Sequence, residues 1–207
     1  LFRLILSEQS SGAPRMFQAL GVIQDQLVPL FEVIAVGTIL GALLLIPFMT
    51  PRRLPLFHLS ALALVAVGAW MDSQSTMDTR PAQMMLSQGM IACAGSLFLA
   101  PAMMRGLMSA LARGPNYILS FIIVFVSTQS LGAVIGSGMF TTFINHRQAL
   151  HLQVMREALT TADPLTLQEI AHRAASFAPQ IADAAMRKPQ ALTMIARDAS
   201  NQAYVMA

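Results

Sequence analysis

Charge is what this chain has least of. Asp, Glu, Lys and Arg make up 11% of its 207 residues, against about 25% in soluble domains. Hydrophobic residues make up 55%, and the mean hydropathy is positive. Too little polar surface remains to coat a soluble fold of this size, so the balance points to an integral membrane protein. Cys93 is the single cysteine, which excludes an intrachain disulfide and a cysteine-rich metal site. No glycine-rich phosphate loop and no nucleophile elbow occurs. His58, His146, His151 and His172 are not spaced as ligands, and His146 and His151, five apart, diverge on a helix. The reading is therefore no enzyme, no cofactor and no metal. The net charge of +3 is spread over scattered residues beside apolar runs, and no nucleic-acid partner is expected.

What the chain does have is long apolar runs. The longest lies between Pro115 and Arg147, and from Tyr117 to Ile144 it holds no Asp, Glu, Lys, Arg or His. As a helix that stretch reaches about 42 Å at 1.5 Å per residue, more than a hydrocarbon core of about 30 Å requires. Three shorter runs precede it, at 31–50, 56–71 and 84–104. The expectation is an all-α integral membrane bundle of four full spans, in three parts. Residues 1–30 form the end of a preceding span and an outer loop, with a short amphipathic run from Pro14 to Leu20. Residues 31–147 form the four-span part, and residues 148–207 an extracytoplasmic helical segment. The chain opens on Leu1 without an initiator Met and stops mid-pattern at Ala207, which reads as a fragment.

Breakers and charges set the connections. Pro51-Arg52-Arg53-Leu54-Pro55 is a tight link, since two prolines around a basic pair end one helix and begin another. Pro101 interrupts the third span near its end, and Arg105 to Asn116 forms the next link. These two links carry Arg52, Arg53, Arg105 and Arg113 and no acid, whereas the loop 72–81 holds Asp72, Asp78 and Arg80. The positive-inside rule then puts the arginine links in the cytoplasm and residues 148–207 outside. In that last segment the fourth helix continues to Asp163-Pro164. Leu167, Ile170, Ala174, Phe177 and Ile181 follow at helical spacing, and a further helix starts after Pro189.

Polar and small residues within the spans are the candidates for function. Glu32, at the mouth of the first span, is the one carboxylate expected to enter the membrane, where such a group marks an ion or proton path or sits at headgroup level. Gln88 and Gln129 lie deeper and suit either a substrate cavity or a hydrogen bond to a neighbouring helix. Arg52 and Arg53 suit a gating contact or an orientation signal alone. Gly132, Gly136 and Gly138 form a small-residue surface for close helix packing.

The run S-L-G-A-V-I-G-S-G-M-F-T-T-F-I-N-H-R, followed by Q-A-L-H-L-Q-V-M-R-E-A-L-T-T-A-D-P, resembles the penultimate span and exit of fourteen-span drug:proton antiporters of the major facilitator superfamily, multidrug resistance protein B type. Leu131, Gly132, Gly136, Arg147, His151, Asp163 and Pro164 carry the likeness. Thr128 and Gln129 stand where that family has an arginine before the glycines, and Pro51-Arg52-Arg53 lacks its fuller G-x-L-x-D-R link. The resemblance covers roughly residues 30–207. It implies a C-terminal portion of a bacterial inner-membrane transporter that exports hydrophobic or amphipathic small molecules in exchange for protons. It further implies a periplasmic membrane-fusion protein as partner of residues 148–207. The alternative is a non-transporting membrane anchor or assembly protein presenting that segment.

Overall fold

Each apolar run folds as a helix, and the helices run longer than the runs that predict them. The computed structural model describes residues 2–7, 9, 12–158 and 164–207, among which all regular structure is helical. Contacts divide the chain into two units, Leu1–Thr141 and Thr142–Ala207, where the sequence reading set the boundary after Arg147. Asp163 lies outside the described residues.

In the first unit α1 spans Phe2–Leu6, α2 Ala13–Ala19, α3 Gln24–Leu45, α4 Leu54–Asp72 and α5 Met85–Arg113, and α6, Asn116–Ala158, begins in it and ends in the second. Short 3-10 turns at Pro51–Arg53 and Pro81–Met84 lead into α4 and α5. Among the described residues four helical stretches are long and apolar enough to cross a membrane: Gln24–Leu45, Leu54–Asp72, Pro81–Arg113 and Asn116–Met155.

Two of the boundaries that differ from expectation involve a proline inside a helix, and the first helix also ends at Leu45 and not at residue 50. The first span starts at Gln24 and not at residue 31. Pro29 falls in the second turn of α3, where it forfeits only the bond to the Asp25 carbonyl. The third helix does not stop at 104 but runs through Pro101 to Arg113. Pro101 is fully buried, and packing around it carries the helix past the missing bond to Leu97. Arg105 is consequently a helical residue and not part of a link. The connection shrinks to Gly114 and Pro115, with Gly114 at φ 128°, a conformation that favours glycine.

α5 is the column of this unit. α3 lies parallel to it through glycine: a Cβ on Gly37 would stand 2.4 Å from the Gly89 carbonyl oxygen, and one on Gly41 2.5 Å from that of Cys93. Four residues apart, these glycines share one face and bring two backbones together. Ser96 Oγ donates to the Thr38 carbonyl at 2.8 Å across the same contact. α4 runs antiparallel on another side of α5, with Gly68 against Ile91 and His58 edge-on to Phe98, ring centroids 4.6 Å apart. α1 stacks Phe2 on Phe98 at 3.9 Å. The core joins Phe2, Leu6, Leu45, Ala61, Val65 and Ile91 with Ala94 and Leu97.

The second unit contains the end of α6, then α7 at Pro164–Ser176 and α8 at Ala184–Val205. α7 buries Ile170 but ends before Phe177 and Ile181, which lie in the turn beyond it. α8 starts before Pro189, because Asp183 caps it by accepting from the Ala185 amide at 2.9 Å. Arg173 pairs with Glu169 at 2.6 Å on its own helix and with Asp198 on α8. Hydrogen bonds to Asp198 and Glu169 hold the arginine above its ordinary pKa. Gln148 of α6 donates to the Ser200 carbonyl at 3.2 Å.

Candidate functional site

The antiparallel pairing of α4 and α5 brings the end of one helix beside the start of the other. Asp72 closes α4, and Ser87 and Gln88 sit in the first turn of α5. Oδ2 of Asp72 accepts from Gln88 Nε2 at 2.7 Å, and Oδ1 accepts from the Ser87 hydroxyl. That hydroxyl also lies 3.0 Å from the Met84 carbonyl, so its single proton serves one acceptor at a time. Gln88 is fully buried, and its Oε1 has no partner among the described residues. Gln9 Nε2 donates to the Gln88 backbone carbonyl at 3.0 Å, tying the N-terminal stretch to the same point.

Two cavities flank the link between α4 and α5. One, of about 330 Å³, is lined by Asp72, Ser75, Asp78, Gln83 and Ser87 among others. The second, of about 630 Å³, lies toward the start of α3 and is lined by Gln26, Pro29, Asp78, Arg80 and Met85 among others. Asp78 and Thr79 belong to both. The Thr76 amide donates to Thr79 Oγ1 at 2.7 Å, and the Arg80 amide to Gln83 Oε1 at 2.8 Å, which shapes the link between them. This end of the unit thus gathers two carboxylates, Asp72 and Asp78, with hydroxyl and amide groups and Arg80 around them. Among the described residues no three His, Cys, Asp or Glu side chains gather as metal ligands.

The residues singled out from the sequence do not converge. Gln88 makes an interhelical bond, one of the two roles open to it. Gln129 is on α6, outside both cavities, with Oε1 unpartnered among the described residues. Glu32 stands eight residues after Gln24, the first residue of its helix, about 12 Å along it. Five residues before Gly37, it points about 140° away from the α5 contact, and it is exposed. Arg52 and Arg53 belong to the turn before α4, where the Arg53 guanidinium stands 5.9 Å from the Phe48 ring centroid. Arg113 is the last residue of α5. A Cβ on Gly132 would meet Arg3 at 3.3 Å, and one on Gly136 the Leu4 backbone at 2.9 Å, so α1 is what these two glycines receive. Gly138 has no part in that packing, since a Cβ there meets nothing within 4 Å.

Two features escaped the sequence reading. The apolar run ends at Met71 and so places Asp72 in the loop, although Ser87-Gln88 at the start of the next span offers donors for a carboxylate across a hairpin. Gly37 and Gly41 form a G-x-x-x-G pair within an apolar helix, a signal for close helix contact that the glycines of α6 overshadowed. Comparisons with protein-family models, with curated proteins and with solved structures find no match to this chain.

Proposed function

We propose that this chain is part of a secondary transporter of the inner membrane, related to the major facilitator drug:proton antiporters and exporting hydrophobic or amphipathic compounds by alternating access. The observation that carries the reading is Glu32. A carboxylate on the outer face of an apolar helix, about 12 Å from its start, is costly in lipid unless water or a partner meets it. That cost is ordinarily borne where an ion or proton must pass. No hydrogen bond or ion pair of Glu32 occurs among the described residues, which leaves the group available for exchange. The two carboxylates at the α4–α5 link, beside cavities of about 330 and 630 Å³, support it as a mouth that concentrates protons and cationic compounds. In this scheme helices rock about a site near the midplane, the arginine-bearing ends face the cytoplasm, and residues 148–207 lie in the periplasm and meet a membrane-fusion protein.

The anchor alternative draws on the second unit, which has its own ion-paired helices. One experiment separates the two readings. Cells expressing the complete gene are loaded with a panel of lipophilic cations, and accumulation is followed with and without a proton uncoupler. Transport predicts lower accumulation that the uncoupler abolishes and that Glu32→Gln loses at equal expression. Accumulation indifferent to the protein across the panel would falsify the transporter reading and leave the anchor.

A further inference from the structure

A cleft of about 350 Å³ opens where α5 ends and α6 begins. At its deeper end Gly106 lets the Phe121 ring lie against the α5 backbone, so close that a Cβ would stand 2.2 Å from Cε2. Ala110 is buried, while Arg113, Tyr117, Ser109 and Ser120 are exposed around it. The lining is ordered along the helices. Arg113 and Tyr117 stand at the helix ends, next to the Gly114-Pro115 turn. Phe121 and Val124 lie deeper along α6, with Tyr117 and Val124 separated by about 10 Å.

The charge at this end has one sign. No Asp or Glu occurs between Glu32 and Asp72, nor between Asp78 and Glu157, so the end of α3, the start of α4, the end of α5 and the start of α6 bring arginines and no carboxylate. Arg113 forms no ion pair among the described residues. A cationic head with hydroxyl donors, opening onto an apolar trough toward the middle of the span, is complementary to an anionic amphiphile and to neither a free ion nor a neutral oil. Basic pockets between spans at the cytoplasmic surface suit the headgroups of acidic lipids.

We propose that this cleft binds an anionic phospholipid, with the phosphate at Arg113, Tyr117, Ser109 and Ser120 and an acyl chain along Ala110, Phe121 and Val124. The proposal rests on membrane residence and not on transport. It gives Arg113 a ligand in addition to its part in orientation.

The test uses the full chain purified in detergent, with lipid retention read by native mass spectrometry and thermal stability read in parallel. Dioleoylphosphatidylglycerol, dioleoylphosphatidylcholine and inorganic phosphate are the probes. Phosphatidylglycerol should bind in preference to phosphatidylcholine and raise the melting temperature. Arg113→Gln should cut its affinity about fivefold, the share of one arginine at a lipid surface, while Arg80→Gln, on the acidic link, leaves it intact. Ser120→Phe, a change at an exposed position, should block the trough and lower retention of both lipids without loss of helical circular dichroism. Equal retention of the two lipids, a preference that survives both Arg113→Gln and Ser120→Phe, or the same stabilisation by inorganic phosphate alone would overturn the assignment. A chain that stays monodisperse after detergent removal would overturn the membrane premise itself, an outcome separate from loss of lipid preference.

Discussion

Gln88 donates its side-chain amide to Asp72 across 2.7 Å, joining α5 to α4 through two residues sixteen positions apart. The bond leaves the other end of the amide, Oε1, without a partner, and that asymmetry makes the pair testable. Asp72→Ala removes both acceptors and strands the buried Gln88 amide donor, while the Ser87 hydroxyl keeps the Met84 carbonyl. The loss should be about 1–3 kcal/mol. Asp72→Asn should cost less, because Gln88 can rotate its amide and accept from the new Nδ2 with the oxygen that is now idle. Thermal unfolding in detergent gives the order: wild type, then Asp72→Asn, then Asp72→Ala. The reverse order for the two variants would refute the arrangement.

Glycine packing predicts a contrast between positions of the same residue type. Gly37→Ala drives a methyl into the Gly89 carbonyl, and overpacking of this kind costs about 1–3 kcal/mol. Gly136→Leu would meet the Leu4 backbone and displace α1. Gly138→Ala meets nothing and should be neutral or stabilising by up to about 1 kcal/mol through helix propensity. Melting temperatures of the three variants, measured side by side, check the contrast.

Glu32 predicts opposite signs for stability and function. Glu32→Leu replaces an exposed carboxylate on an apolar helix, and in a bilayer it should raise stability, by up to about 3 kcal/mol. The same substitution should end uncoupler-sensitive export. A variant that is destabilised, or that exports normally, would contradict the role assigned to this residue.

In the second unit Arg173 bridges α7 and α8 through Asp198. The pair is partly exposed, with side-chain accessibilities of 28% and 44%, so its contribution is small. Arg173→Ala should cost about 0.5 kcal/mol at low salt and less in molar salt. Hydrogen exchange of the α8 amides in the full chain should quicken at low salt, and the difference from wild type should narrow as salt is added.

The four apolar helices were legible because hydropathy over twenty residues outweighs any local signal. Their ends were not. Pro101 reads as a breaker, yet it removes a single backbone bond, and whether a helix continues depends on the packing around it. Reading a stop there makes Arg105 a link residue, while the turn formers before residue 31 hide that the first helix starts at Gln24. Asp72 could not be placed because its role depends on Ser87 and Gln88, which only the hairpin brings near. The small residues of α6 announced close packing, but Gly138 shows that a stripe of glycines does not say which of them is covered.

The two flanks of α5 differ in what would resist movement. Against α3 the backbones come together at Gly37 and Gly41, with Val33 packed on Gly89 and the Ser96 hydroxyl on the Thr38 carbonyl as a cross-tie. Against α4 the surfaces engage through Ile91 on Gly68 and are latched at the end by Asp72. A polar latch thus ties α4 to α5 at one end, and the Ser96 hydroxyl ties α3 to it midway. A shear that ran along the glycine track would carry Glu32 past its surroundings with the Asp72 latch still shut.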